Sequence, residues 1–189
     1  MPYTSQHKAQ SREKILQSAY QLFSSQGFDA VTVDSVMQRA KLTRGAFYNH
    51  FKSKAELYAA AVGFGASQSP LLDAKPAAVE DRQWVRRLLD NYLSLGHLRA
   101  ERACPLAFMA TDIALRSEPA KAAYARAFKG MNDHLQQRLG HVGQVSRAEL
   151  EAATTMMIGA VAIARSLEEV AAQALLANCH GQVALLLKL

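Results

Sequence analysis

The twenty residues Thr32–Phe51, TVDSVMQRAKLTRGAFYNHF, constrain this chain more than any other stretch. Val33, Val36, Met37 and Ala40 recur at helical spacing and give a first short segment one inner face. Thr32 stands where an N-cap is wanted, Lys41-Leu42 makes a turn, and Thr43 can cap a second segment. In that second segment Phe47 and Phe51 lie four residues apart, which puts both on one helix face and anchors it in a core. The opposite face carries Arg44, Tyr48, Asn49 and His50, all hydrogen-bond donors and none acidic. Two plain core helices would explain the apolar stripe, but not a solvent face of donors alone. A short helix pinned by aromatics with donors outward suits insertion into a DNA groove.

The rest of the chain is helical in pattern, with almost no strand signal. In Ser11–Gly27 the residues Ile15, Leu16, Ala19, Leu22 and Phe23 form one stripe, with Gly27 as a stop. Ser53-Lys54-Ala55-Glu56 is a capping-box pattern opening a fourth helix. Gly63, Gly65, Pro70 and Pro76 then interrupt regularity and divide a head, residues 1–60, from a body, residues 61–189. Five body helices are expected: Asp81–Arg99, Cys104 to about Arg116, Ser117 to about Leu139, one opened by the capping box Ser146–Glu149, and one from about Glu168 to the end. The expected fold is all-α: a three-helix helix-turn-helix head joined by a fourth helix to a five-helix ligand-binding and dimerisation body.

Charge points to the head. The first 60 residues hold eight Lys/Arg against four Asp/Glu, so most of the net +6 lies there, where phosphates would be met. Chemistry-bearing constellations are missing elsewhere. Two cysteines, Cys104 and Cys179, are too few for a disulfide scaffold or a thiolate metal site. His7, His50, His97, His134, His141 and His180 show no metal-ligand spacing, and there is no Gly-rich phosphate loop or nucleophile elbow. No enzyme, cofactor or metal role is expected. No apolar run matches a membrane span or a signal-peptide core, so a reducing cytoplasm is the expected compartment.

The body offers two further readings. Bulky side chains gather in its middle helices, and Trp84, Tyr92, Cys104, Phe108, Met109, Phe128, Met131 and Met157 are the candidates for lining a ligand pocket. Cys104 opens a helix after Arg99 and Arg102, a setting that lowers a thiol pKa. A thiol sensor, a pocket-lining residue and a small buried hydrophobe all remain open for it. The stretches AATTMMIGAVAIA and ALLANCHGQVALLL leave little polar face, so each is a central core helix or half of a dimer interface. The second fits a C2 homodimer joined by a four-helix bundle.

The region from about Arg12 to Val62 resembles the N-terminal domain of the TetR family of transcriptional regulators. The likeness rests on ILQSAYQLFSSQGFDAVTVDSV and LTRGAFYNHFKSKAELYAAA, including the link Phe51-Lys52-Ser53-Lys54, and covers a quarter to a third of the chain. The resemblance implies a homodimer that binds a palindromic operator and is released by a small apolar or electrophilic effector. It implies base-edge contacts for Arg44, Ala46 and Asn49, and phosphate contacts for Thr32, Thr43, Tyr48, His50 and Lys54. One departure stands out: the family commonly has Gly where this chain has Lys41, a position that strains a side chain if φ is positive. The competing reading is a helical ligand-binding or scaffolding dimer whose head contacts another protein.

Overall fold

The computed structural model describes residues 5–69, 75–99, 104–139 and 145–189, and among these every regular element is a helix. Pro70, Arg102 and His141, singled out above, lie outside the described residues. The head comprises α1 (Ser5–Ala30), α2 (Val33–Arg39) and α3 (Arg44–Phe47), and α4 (Lys54–Ser67) leads out of it. Gly27 ends the regular part of α1, as its sequence position implies. It sits at φ 77, ψ 173, and the chain kinks there before Phe28. Ile15, Ala19 and Phe23 of α1, Val36 and Met37 of α2, Phe47, Phe51, and Leu57, Tyr58, Ala61 and Val62 of α4 close one core.

Gly63 and Gly65 do not break α4. Gly65 lets α4 approach α1 closely, because a Cβ there would overlap three ring carbons of Tyr20. A Cβ on Gly63 would meet nothing.

The body contains α5 (Asp81–Tyr92), α6 (Leu95–Arg99), α7 (Pro105–Phe108), α8 (Ala110–Ile113), α9 (Glu118–Leu139), α10 (Arg147–Ala164) and α11 (Glu169–Leu186). Two of the five expected helices are thus each divided. The first turns at Leu93, where φ −92 and ψ 55 leave the helical region, and the Ser94 hydroxyl accepts from the His97 N–H at 3.1 Å to restart it. The second turns at Met109. The box at Ser146 forms as expected, with Ser146 and Glu149 each accepting from the other's backbone N–H.

A second core fills the body around Leu89, Leu135, Leu150, Met157, Val161, Leu176 and Val183. The two cores are not divided between head and body. Met109, Ile113, Ala120 and Ala123 complete the head's core, so the start of α9 and the α7–α8 corner are packed into it. The outer face of α10 and α11 stays uncovered: Ile163 is 57% exposed, Leu185 72% and Val170 83%.

Candidate nucleic-acid interface and effector cleft

The elbow between α2 and α3 is built by local rules. The Thr32 hydroxyl accepts from the Ser35 N–H at 3.0 Å and the Ser35 hydroxyl accepts from the Thr32 N–H at 3.1 Å, closing the N-terminus of α2. At the other end Leu42 N–H donates to Met37 C=O and Lys41 N–H to Gln38 C=O, a Schellman closure. That closure needs a left-handed residue, and Lys41 supplies it at φ 57. Thr43 precedes α3 in an extended conformation, but its side chain makes no capping bond, contrary to expectation. Its hydroxyl is exposed instead.

Phe47 and Phe51 are buried as the stripe requires, at 1% and 2% exposure. Regular α3 is shorter than expected. After Phe47 the bonds run to the third residue back, from Asn49 N–H to Ala46 C=O and from His50 N–H to Phe47 C=O, so this last turn is wound more tightly. Tyr48 and Asn49 are exposed on it, and Ala46 is half-buried. His50 is half-buried with its Nδ1 enclosed and unbonded. Burial first, then the charges of Lys8 and Arg12, push its pKa down, so the imidazole is neutral at neutral pH. Arg12 also lies over the Phe51 ring at 5.1 Å, which brings α1 cations to the donor face.

Two residues depart from the expected surface. Arg44 is exposed, yet its Nη1 donates to Asp34 Oδ2 at 2.7 Å across the elbow. The donor face read from the third helix alone therefore has an acid contributed by the second. Lys54 turns inward: its Nζ donates to the carbonyls of Phe28 and Val31, both at 2.9 Å, and lies 4.1 Å from the Phe28 ring centroid. Two of its three N–H groups hold the Phe28–Val31 corner rather than facing a phosphate. The reason is the kink at Gly27, which leaves carbonyls at the end of α1 without helical partners and aims them at the first residue of α4.

A polar junction ties this head to the body, and Asp112 of α8 is its centre. Asp112 Oδ2 accepts from the Phe28 N–H at 3.2 Å and from the Tyr58 hydroxyl at 2.8 Å; Oδ1 accepts from Arg116 Nε at 3.1 Å. Arg116 continues to Asp29 and lies over the Phe28 ring, 4.5 Å from its centroid. Arg165, at the end of α10, donates to Ser24 C=O at 2.9 Å and Phe108 C=O at 3.1 Å. Sequence periodicity carries no signal for such a junction, since its members are spread over α1, α4, α7, α8 and the end of α10.

A cleft of about 630 Å³ lies between α4 and α9, ending at the start of α7. Of the eight expected pocket residues only Cys104 and Met131 line it. Tyr92, Met109 and Met157 are buried in the cores, and Trp84, Phe108 and Phe128 pack against the body core. Those six fill the cores; the cleft is bounded on α4 by the small residues Ala59, Ala60, Gly63 and Ala66, and on α9 by Ala123, Ala127 and Gly130 together with the larger Arg126, Met131, Asp133, His134 and Gln137. Cys104 sits on the cleft wall, partly buried. Burial pushes its pKa up against smaller opposing effects, led by the Tyr92 hydroxyl, which donates to Sγ at 3.3 Å. Arg99 is turned away to pair with Glu169. Among the described residues no group of His, Cys, Asp or Glu could hold a metal ion, and no helix is long and apolar enough to cross a membrane.

Residues 15–61 match the model of the family described as bacterial regulatory proteins, tetR family. The chain is 34% identical over 82 residues to the HTH-type transcriptional regulator SrpR of Pseudomonas putida, a stretch covering 43% of this chain and 38% of that protein. It is 40% identical over 55 residues to the HTH-type transcriptional regulator AcrR of Shigella flexneri, covering 29% of this chain and 26% of that one. The chain thus aligns with well under two thirds of either relative. Over its whole length the likeness is one of fold. The reduced form of Escherichia coli NemR superposes with a TM-score of 0.74 at 18% identity, covering 92% of this chain and 94% of that one. A TetR-family regulator from Agrobacterium tumefaciens gives 0.75 at 17%, covering 93% and 98%.

Proposed function

The chain belongs, through its head, to the TetR family of transcriptional regulators, and from that premise we propose that it represses transcription by binding a palindromic DNA operator as a homodimer and leaves the operator when a small apolar molecule enters the α4–α9 cleft. The observation that carries this reading is the surface of α3: a short helix fixed from behind by Phe47 and Phe51 that presents Arg44, Tyr48 and Asn49 outward. Arg44 and Asn49 have the donor geometry for guanine and adenine edges, and Ala46 could touch a thymine methyl. Thr32, Thr43, Tyr48 and His50 are the phosphate partners at the rim, with Lys8 and Arg12 added beside His50. Lys54 contributes by holding the corner behind them.

Two features support the rest. The exposed face of α10 and α11 brings Ile163, Val170 and Leu185 together with Gly159 and Gly181, whose missing side chains leave the helix backbones open to close approach. A second copy of the same face buries it by two-fold symmetry and sets the spacing of the two α3 helices on DNA. The cleft shares α4 with the head, so an occupant that prefers a wider cleft moves α4 and, through the Asp112 junction, the head. DNA affinity then falls by that occupant's preference between the two states. The raised Cys104 pKa favours an apolar occupant over an electrophile.

The test is a salt titration of binding to an operator selected from a random duplex pool. A regulator of this kind loses affinity steeply, with a logarithmic slope near −0.9 for each phosphate it neutralises. A flat salt response, or selection of no sequence, removes DNA from the reading and leaves a head that contacts another protein.

A further inference from the structure

Asp34 is an acid on a surface otherwise supplied with donors, and it is 60% exposed. Near phosphates a carboxylate is repelled, so its presence there needs a reason. Its place in the first turn of α2 gives part of one, because the helix dipole favours a negative charge at that end. That does not account for its 2.7 Å contact with Arg44 Nη1. Arg44 is itself 63% exposed, on a long side chain with many rotamers. A carboxylate on one side of the guanidinium removes much of that freedom while leaving the Nη2 and Nε donors unbonded among the described residues.

We propose that Asp34 is a positioning residue for base readout: it holds the Arg44 fork across the helix-turn-helix elbow, aimed at the O6 and N7 of one guanine in each half-site. This rests on the reading of the head as a DNA-binding domain. Arg44 is the residue that touches the base. Asp34 acts through it by fixing the fork before DNA arrives, so ordering costs less on binding. The same carboxylate weakens attraction to any DNA, because it subtracts a charge from the phosphate-facing surface. Asp34 therefore trades general affinity for discrimination at one base pair.

The experiment uses the full chain. An operator is selected from a random duplex pool with the wild-type protein, and dissociation constants are measured for it and for every single-base variant. The proteins compared are wild type, Arg44→Ala, Asp34→Ala and Asp34→Asn. Wild type should prefer guanine at one position per half-site by about tenfold or more, and Arg44→Ala should abolish that preference. Asp34→Ala should flatten the same position to within about threefold, leave the others unchanged, and bind unrelated DNA more tightly. Asp34→Asn keeps an acceptor for Nη1 and should retain an intermediate preference. Full guanine discrimination in Asp34→Ala overturns the proposal. So does an equal loss at every position, which with a lowered unfolding midpoint would mark a merely structural residue. Failure of the wild-type protein to select any sequence overturns the DNA-binding reading itself, a separate and recognisable result.

Discussion

The two faces of α4 behave in opposite ways. Towards the head it meets α1, where Gly65 admits the Tyr20 ring and Leu57, Tyr58, Ala61 and Val62 are wholly enclosed. Towards the body it meets α9, where Ala59, Ala60, Gly63 and Ala66 present little side chain of their own to α9, and a cleft remains. Short side chains leave volume unless the backbones come together, and the aromatic head core on the other side keeps α4 from moving over. One side of α4 is thereby closed around aromatic rings and the other borders a cleft, the asymmetry on which the proposed transmission from ligand to head depends.

The strongest test of that contrast is made on the closed side. Phe47→Ala should cost about 3–5 kcal/mol of stability by denaturant unfolding, with DNA binding lost as α3 loses its anchor. A loss under 1 kcal/mol would mean that the head core is as yielding as the cleft.

Asp112→Ala should come next, at about 2–3 kcal/mol, because the Tyr58 hydroxyl, the Phe28 N–H and Arg116 lose their shared acceptor. If the junction transmits, this variant also weakens the effect of a cleft ligand on DNA affinity more than it weakens ligand binding. Equal weakening of both would place transmission elsewhere.

The two glycines of α4 should respond with opposite signs. Gly65→Ala should destabilise by about 1–3 kcal/mol, since the new methyl overlaps Tyr20. Gly63→Ala should stabilise by roughly 0.5–1 kcal/mol, since its methyl enters open space and an alanine suits a helix better. Thermal midpoints of the two variants moving in the same direction would break the comparison.

Lys41→Gly is a smaller effect confined to the elbow. Relief of the left-handed strain at φ 57, less the extra entropy of glycine, should stabilise by about 0.5–1 kcal/mol. Calorimetry showing a loss would mean that the Lys41 side chain makes a contact worth more than the strain.

The mildest prediction concerns pH. Burial lowers the pKa of His97 and, with Arg138, that of His134; His50 is lowered by burial with Lys8 and Arg12. The unfolded chain, with histidines near about 6.5, then binds more protons than the folded one as pH falls through that value. Stability is full above it and declines towards pH 5. Unfolding midpoints between pH 7.5 and 5.5 should fall, and fall less in His97→Gln. An unchanged slope in that variant would assign the effect to the other two.

Much of the architecture was legible in the residues themselves. The stop at Gly27, the cap at Thr32, the box at Ser146 and the burial of Phe47 and Phe51 depend on groups within about one helical turn, so local spacing determines them. The same holds for the strain at Lys41, since a Schellman closure fixes the sign of φ wherever it occurs. The exposure of Tyr48 and Asn49 followed from the opposite face being aromatic. Where helices were expected to be continuous, at Leu93 and Met109, apolar residues recur on both sides of the turn and conceal it.

The sequence by itself therefore determined that the chain is helical, where its elbow lies and which aromatics hold it. Tertiary structure alone decided that Asp34 meets Arg44, that Lys54 faces Phe28 and Val31, that Asp112 reaches Phe28 across 84 residues, and that the cleft opens between α4 and α9. Those outcomes depend on how closely and at what angle the helices cross. Crossing is settled by all the side chains in both cores at once, so no window of the sequence contains it.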